Sequence, residues 1–507
     1  MASNVKSLLK QSGPCLTSEL ARRMVELGAS EAAARQRITR AQSEYTRLAG
    51  VRFAKNARFI YLEDQYGSTE FWRGLENAFK TSGTAYWHTI VGLTARGGGC
   101  PRSLFPRVCG APIARKRQLS PDRILERLIA IQLLEVDDQD PENEVVRFHP
   151  LHYPRAPEAE LQATMLAEHI ALQAIGDWLK KLGFGSYGKF KVRESDELPI
   201  VSGIAWDLSA PSYLRPLAQK SGESIRPGFV VCDINLRGAI SEGEVSQFVR
   251  KHTFASAPMN VAPIMPFLIG DVFTQDAFNL ARQSGVVSAT IADLFGTMTA
   301  KALRDLISLL SNSGATAAMN PQHLLDVLNS LTRIEGAANN LRGAVFELVA
   351  GSLAKDIEGG YLLTGLKRYE PYSGRRAEID AILDRPNDAP VLILECKSKI
   401  PGAQVSLSEV QHWLDDRVPL ILAILSNDQR YAERRFHFEF WSNGPFHPDA
   451  GAWLDTQTKA REGYSVDWKD GELLRTYSRN AKSNSIRDIL KDHYFLHPLA
   501  KLAKKAI

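Results

Sequence analysis

Apolar positions along this chain change their spacing from one segment to the next, and each spacing predicts an element. Near the start they fall three and four apart in Val5 to Gln11, Leu16 to Leu27 and Ser30 to Arg40, the spacing of a helix with one buried face. Gly13-Pro14 ends the first of these, Thr17 or Ser18 caps the second with Gly28 as its stop, and Ser30 caps the third. From Val51 to Leu62 alternation takes over and predicts a hairpin with a Lys55-Asn56-Ala57 tip. Helical spacing returns in Thr69 to Lys80, Asp122 to Leu134 and Leu161 to Leu182, while Glu135-Val136 and Val145 to Phe148 predict a second hairpin. The middle reads as strands Ile200 to Asp207 and Gly228 to Asn235, a helix Glu242 to Lys251 and a strand Ile264 to Ile269. After a mostly helical stretch from Met298 to Glu335, a helix is expected over Asn339 to Ala350, then strands over Ala377 to Leu383 and Val391 to Lys397. A helix over Val405 to Leu414, a strand over Pro419 to Leu425 and a helix over Asp428 to Trp441 complete the pattern.

At 507 residues the chain is too long for one core. The breaks in pattern divide it into 1–66, 67–150, 157–297, a connector 298–335, 336–450 and an extension 451–507. The fold class expected is multidomain α/β. The net charge of +5 permits a polyanionic partner, and its distribution says more. The many cations between Lys6 and Arg58 face only Glu19, Glu26, Glu31 and Glu44. Three helices followed by a hairpin resemble a winged helix-turn-helix, which implies that Arg35, Gln36, Arg37 and Arg40 line the exposed side of the third helix. Arg and Gln suit base edges, while Lys55 and Arg58 on the wing suit phosphates. Contact with a protein, or packing on a neighbouring domain, is the alternative use of such a module.

Five scattered cysteines, with no Cys-x-x-Cys spacing, indicate neither a zinc ribbon nor a disulfide framework, and a reducing cytoplasm is expected. The start has no apolar signal-peptide core and no run is long enough to span a bilayer, so no membrane partner is expected. Gly97-Gly98-Gly99 lacks a following Lys-Ser or Lys-Thr and reads as a turn, not a phosphate loop. His437, His447 and His497 lack metal-ligand spacing.

The candidate chemistry lies in the last third. Side chains alternate faces along a strand, so Glu395 and Lys397 point the same way, and Asp380 in the preceding strand can meet Glu395 across a hairpin. Two converging carboxylates suit a hard divalent cation, and an ammonium beside them suits a water or a phosphate oxygen. A Glu-x-Lys on a strand is also the mark of a solvated face with a weak ion pair. Here, however, the run Val391 to Leu394 has the continuous apolar character of a strand buried on both faces.

The order helix, Asp strand, Glu-x-Lys strand, helix resembles the PD-(D/E)xK, or restriction-endonuclease-like, nuclease superfamily, with Ile379 where that family has its proline. The resemblance implies a C-terminal α/β/α nuclease domain with Asp380, Glu395, Lys397 and Glu347 as catalytic residues. Asp380, Glu395 and Glu347 would bind the metal, Mg2+ with Mn2+ as its substitute, and Lys397 would position water. Gln411 on the next helix is a candidate supporting residue.

Residues 157–297 repeat the same order of elements, with Glu168 in the helix, Asp207 and Asp233 in the strands and Asn235 in place of the lysine. A degenerate restriction-endonuclease-like domain and an unrelated α/β domain are both open here. Phe267 to Val287 is similar to the closing strand and helix of Mrr-type enzymes. The resemblance as a whole implies a metal-dependent DNA endonuclease of restriction, phage defence, repair or recombination, acting alone, as a homodimer or in a defence complex. The alternatives are a DNA-binding regulator with an inert nuclease fold and a nuclease acting on RNA.

Overall fold

The computed structural model describes residues 4–115, 118–137, 144–150, 155–186, 188–194, 197–215, 217–221, 224–258, 261–311, 327, 331, 337–399, 403–457, 459–461 and 463–495. The protein is a multidomain mixed α/β chain. Its contacts separate two units, Met1–Pro157 with Ile175–Leu294, and Glu158–Ala174 with Phe295–Ile507. The helix Glu158–Lys181 contributes to both. Lys116, Arg117, the acidic Asp138-Gln139-Asp140, most of the expected connector, His497 and the basic tail lie outside the described residues.

In the first unit the helices Val5–Ser12, Thr17–Glu26 and Glu31–Arg40 form where the spacing predicts them. Asn4 and Ser30 cap the first and third, whereas Leu16 precedes the second without a side-chain bond. The expected hairpin over 51–62 is replaced by a wider arch. Thr46–Arg47 pairs with Phe59–Tyr61, which also pairs with Cys15–Leu16, and Ala54–Asn56 turns as a 3-10 helix with Lys55 and Asn56 at positive φ. Phe59 packs edge-on to Phe71, and a single apolar cluster runs from Leu16 to Phe148.

The helices Thr69–Thr81, Ala85–Ala95, Phe105–Cys109 and Pro121–Ala130 follow, with a sheet in the order Gly99–Pro101, Val145–Phe148, Leu134–Asp137. Leu134 is thus a strand residue and not the end of a helix. Next comes a five-stranded sheet in the order Val287–Thr290, Ile264–Phe273, Gly228–Ile240, Leu208–Ser212, Lys191–Val192. The expected strand over 200–207 is instead a miniature hairpin turned by Ser202 and Gly203 at positive φ. Asp207 therefore precedes a strand and does not end one.

In the second unit the sheet runs Tyr361–Tyr369, Arg376–Asp384, Val391–Lys397, Phe436–Ser442, Tyr464–Lys469, Ala460–Arg461. The first three strands are antiparallel, and Val391–Lys397, Phe436–Ser442 and Tyr464–Lys469 run parallel. The long helix Ala337–Glu358 packs on Arg376–Asp384, and Gly351 makes this close: a Cβ there would lie 3.2 Å from Leu362 and 3.4 Å from Ala381.

Two expectations fail here. Pro419 to Leu425 is not a strand but lies in the helix Val418–Ser426, which buries Val418, Ile421, Ile424 and Leu425. A short apolar run with proline in its first turn fits either element, and burial at three- and four-residue spacing decides for the helix. Asp428 to Trp441 is not a helix: turns lead into the strand Phe436–Ser442. Arg434 is spent on structure, paired with Asp384 at 2.9 Å and donating to the Ala389 carbonyl.

Gly360 joins the long helix to its sheet at φ 103°, where an added Cβ would meet the Asp384 carbonyl oxygen at 2.3 Å. Gly360→Ala is expected to destabilise this unit by roughly 2–4 kcal/mol, read as a lower melting transition. An unchanged transition would contradict the turn described.

Candidate functional site

Strand pairing builds the site. Ala381 lies opposite Leu394 in the antiparallel pair, which sets Asp380 beside Glu395 one step further along. Asp380 Oδ2 accepts the Cys396 N–H at 2.6 Å, so the first carboxylate is pinned to the strand of the second. Glu395 and Lys397 share a face as alternation requires, with Lys397 Nζ 2.9 Å from Glu395 Oε1. Glu347, on the helix Ala337–Glu358, comes close enough to feel Asp380, Glu378 and Glu395. The structure thus brings together all four residues that the sequence singled out.

Sequence reasoning missed a fifth. After Leu407–Gln411 the helix widens into a π turn, His412–Arg417, and Arg417 at its end sits 3.0 Å from Glu395 Oε2 and donates to the Glu378 carbonyl. The helix starts two residues later than expected, capped by a Ser406-Glu409 box, and continues through Ser426. The Gln411 side chain forms no hydrogen bond among the described residues; the contact comes from Arg417. No spacing rule announces a π turn, and such turns recur at functional sites.

Burial and mutual repulsion set the electrostatics. Glu395 is only 4% exposed at its side chain, while Lys397 is 37% and Arg417 25% exposed, so Glu395 is buried and the two cations that meet it are more exposed. Burial, then the neighbouring Asp380 and Glu378, pushes the Glu347 carboxyl up to about 9. Burial and the Glu395 charge push Asp380 up to about 7, against the Cys396 N–H that favours its anion. Burial works to lower the Lys397 ammonium, but Glu395 outweighs it and the net direction is upward. Burial first and mutual repulsion second work against ionising all three carboxyls at once. Among the described residues no group of three or more His, Cys, Asp or Glu side chains is arranged to hold a metal ion. His437 is bound to Glu439 and Ser465 in the sheet, and His447 caps the helix Pro448–Thr456.

A second site lies near the amino end. A cleft of about 1290 Å³ is lined by Arg22, Arg35, Arg47, Lys55 and Arg58 against only Glu19 and Glu31, and also by Asn77, Thr81 and Ser82. Of the expected nucleic-acid contacts, Arg35, Lys55 and Arg58 meet here. Gln36, Arg37 and Arg40 are exposed on the same helix but do not line the cleft. Arg22 and Arg47 were not singled out from the sequence.

No family model matches the chain, and no curated protein does. One solved structure, the MspJI restriction endonuclease in complex with a 27-mer oligonucleotide, is similar at 19% identity and a TM-score of 0.18. The likeness covers 38% of this chain and 35% of that one. A similarity of that size carries no weight for fold or activity. Among the described residues no helix is long and apolar enough to cross a membrane.

The raised carboxyls make stability depend on pH. In the fold Asp380 goes from 3.8 to about 7 and Glu347 from 4.5 to about 9, so the native state keeps protons that the unfolded chain has released. Stability then falls as pH rises from the unfolded values through the folded ones. In chelator the melting temperature is expected to drop between about pH 5 and pH 9. Asp380→Asn should flatten that drop and stabilise the protein by ~1–3 kcal/mol at about pH 8. A flat profile in the parent would contradict the crowding.

Proposed function

We propose that the chain is a divalent-metal-dependent nuclease that hydrolyses phosphodiester bonds in DNA, with its centre at Asp380, Glu395, Glu347 and Lys397. The observation that supports this most is the convergence of two buried acids and a half-buried third, two of the three driven toward protonation, beside a more exposed ammonium. Acids in that state lack positive charge, and hard carboxylate oxygens are the donors that Mg2+, or Mn2+ in its place, takes up. Asp380 and Glu395 would hold the ion, and Glu347, which is not arranged with them as a three-acid ligand set, would orient the pair. Bound there, a dication supplies charge neutralisation at a phosphate and acidifies a water.

The chain's own residues do the rest. Lys397 stands on the same strand face as Glu395 and is the more exposed of the two, so its ammonium can orient a water and steady charge growing on phosphate oxygen. Arg417 holds Glu395 from the other side and has a guanidinium matched to phosphate. Water attacks phosphorus, the bond to the 3′ oxygen breaks, and the products carry a 5′-phosphate and a 3′-hydroxyl. The basic cleft lined by Arg22, Arg35, Arg47, Lys55 and Arg58 would hold the DNA backbone, as in a winged helix-turn-helix reader. Restriction or phage defence, and repair or recombination, are the settings in which such an enzyme works.

One observation favours a second reading. Each oxygen of Glu395 is already engaged, Oε1 by Lys397 and Oε2 by Arg417, as in a site that has neutralised itself. A DNA-binding protein with an inert nuclease fold would look the same.

Incubation with plasmid and Mg2+ separates the two. The parent is expected to nick or linearise the DNA, with Lys397→Ala and Asp380→Ala at least roughly 100-fold slower and still bound to it. Equal binding with no cutting by any of the three would leave the inert reading. Cleavage of labelled RNA in preference to DNA would change the substrate. Replacing Arg35, Lys55 and Arg58 together should weaken DNA binding and flatten its salt dependence by about three ions, measured by titration at several salt concentrations.

A further inference from the structure

The two large sheets follow one plan. Read from Lys191–Val192 or from Tyr361–Tyr369, each has two antiparallel pairings followed by two parallel ones, with helices between the parallel strands. The match extends to single residues. Leu208 pairs with Cys232 as Ala381 pairs with Leu394, which makes Asp207 and Asp233 the counterparts of Asp380 and Glu395. Asp207 Oδ2 accepts the Ile234 N–H at 2.9 Å, the bond that Asp380 Oδ2 makes with Cys396.

The helices agree as well. A Cβ on Gly176 would touch Val192 and Leu208, and one on Gly351 would touch their counterparts Thr364 and Ala381. One turn before Gly351 stands Glu347; one turn before Gly176 stands Leu172, so the helical acid is lost and Glu168 lies a turn too early. After the Glu395 strand, Ser406 and Glu409 form a capping box, and Ser241 and Glu244 form one after the Asp233 strand. Arg417 comes eleven residues after its cap and reaches Glu395; Lys251 comes ten after its cap and reaches Asp233 at 2.5 Å. The π turn His412–Arg417 accounts for the extra residue, since it closes i to i+5.

The two centres differ in what meets the acids. Around Asp207 and Asp233 the cations are built in and buried. Arg107, from the helix Phe105–Cys109, puts Nε 2.8 Å from Asp207 Oδ2 and donates through Nη2 to the Ile234 carbonyl at 2.6 Å. Its Nε also lies 3.7 Å from Asp233. Arg193 binds Asp207 Oδ1 at 2.7 Å, and Lys251 is wholly buried against Asp233 and the Trp206 ring. Burial pushes the Asp207 carboxyl up, but Arg107 and Arg193 outweigh it and hold it far below the usual range, opposite to its counterpart Asp380. The segment carrying Arg107 closes the same end of the sheet: Arg96 donates to the Ile234 carbonyl, and Gln247 reaches the Val108 carbonyl at 2.7 Å.

We propose that residues 158–290 are a second copy of the fold of residues 337–469, whose carboxylate pair is permanently filled by Arg107, Arg193 and Lys251. This copy takes up no divalent ion and serves as the dock that fixes residues 69–150, the continuation of the basic-cleft segment. A guanidinium from outside the copy occupies the place of an ion and ties two modules together by a buried ionic cluster. The inference rests on the pairing register and the ion pairs, and it holds whether or not the C-terminal centre cuts.

Mn2+ titration of the full chain, with free Mn2+ read by electron paramagnetic resonance, tests it. Asp207→Asn is expected to leave the number of bound ions unchanged, whereas Asp380→Asn removes one. Loss of an ion on Asp207→Asn would overturn the proposal. No binding by the parent would remove the nuclease reading and leave the filled centre standing. A second measurement needs no variant: Fe2+ with ascorbate and peroxide should break the parent backbone near 376–397 and not near 204–235. Breaks in the latter range would overturn it. Arg107→Ala should lower the melting temperature by on the order of 10 °C and expose a new Mn2+ equivalent, and a variant that melts with the parent would refute the docking role.

Discussion

Negative charge placed on neighbouring strands of a buried sheet has to be met by positive charge, and both halves of this protein are organised by that requirement. A carboxylate taken out of water without a partner costs several kcal/mol, more than most single contacts return. At Asp380 and Glu395 the compensation is partial. Lys397 and Arg417 serve Glu395 from the more exposed side, while Asp380 and Glu347 are left leaning toward their neutral forms. At Asp207 and Asp233 it is complete, through two guanidiniums and an ammonium. On the reading proposed above, one site is left wanting a cation and the other has been given three, which would separate a centre open to chemistry from a joint.

The scaffold around the open site keeps the conflict from relaxing. The Cys396 N–H fixes Asp380, the pairing register fixes Glu395, and the capping box of Ser406 and Glu409 starts the helix that carries Arg417. Lys399 reaches Glu409 at 2.6 Å, so the loop after the Lys397 strand is tied to that cap. Gly351 lets the Glu347 helix lie close on the sheet, where a larger residue would hold the third acid away. Stability given up at such a cluster is recovered in the apolar layer below it, where Ile382, Ile393, Phe438 and Phe440 are buried.

Legibility followed the range of the interactions. Glu395 and Lys397 were readable because strand alternation is a local rule, and Asp380 because a neighbouring apolar run was its natural partner. Glu347 followed from the resemblance. Arg417 was not readable, because a π turn shifts its register by one residue and nothing local marks that shift. The run from Pro419 to Leu425 misled for a different reason: it is apolar throughout, so neither period is visible, and only its neighbours decide that it is a helix. The alternation in Phe436 to Ser442 was present, but it was read together with the stretch from Asp428 as one helix.

By itself the chain determined the local periods, the cap at Ser30, and which acids share a strand face with which lysine, since these depend on residues at most a few positions apart. Tertiary structure alone decided which cations meet which acids. Arg107 reaches Asp207 across one hundred residues, and Arg417 reaches Glu395 only after a widened helical turn. Two sheets of one plan differ in chemistry because electrostatic balance inside a protein is settled by distance in space, which sequence spacing does not record.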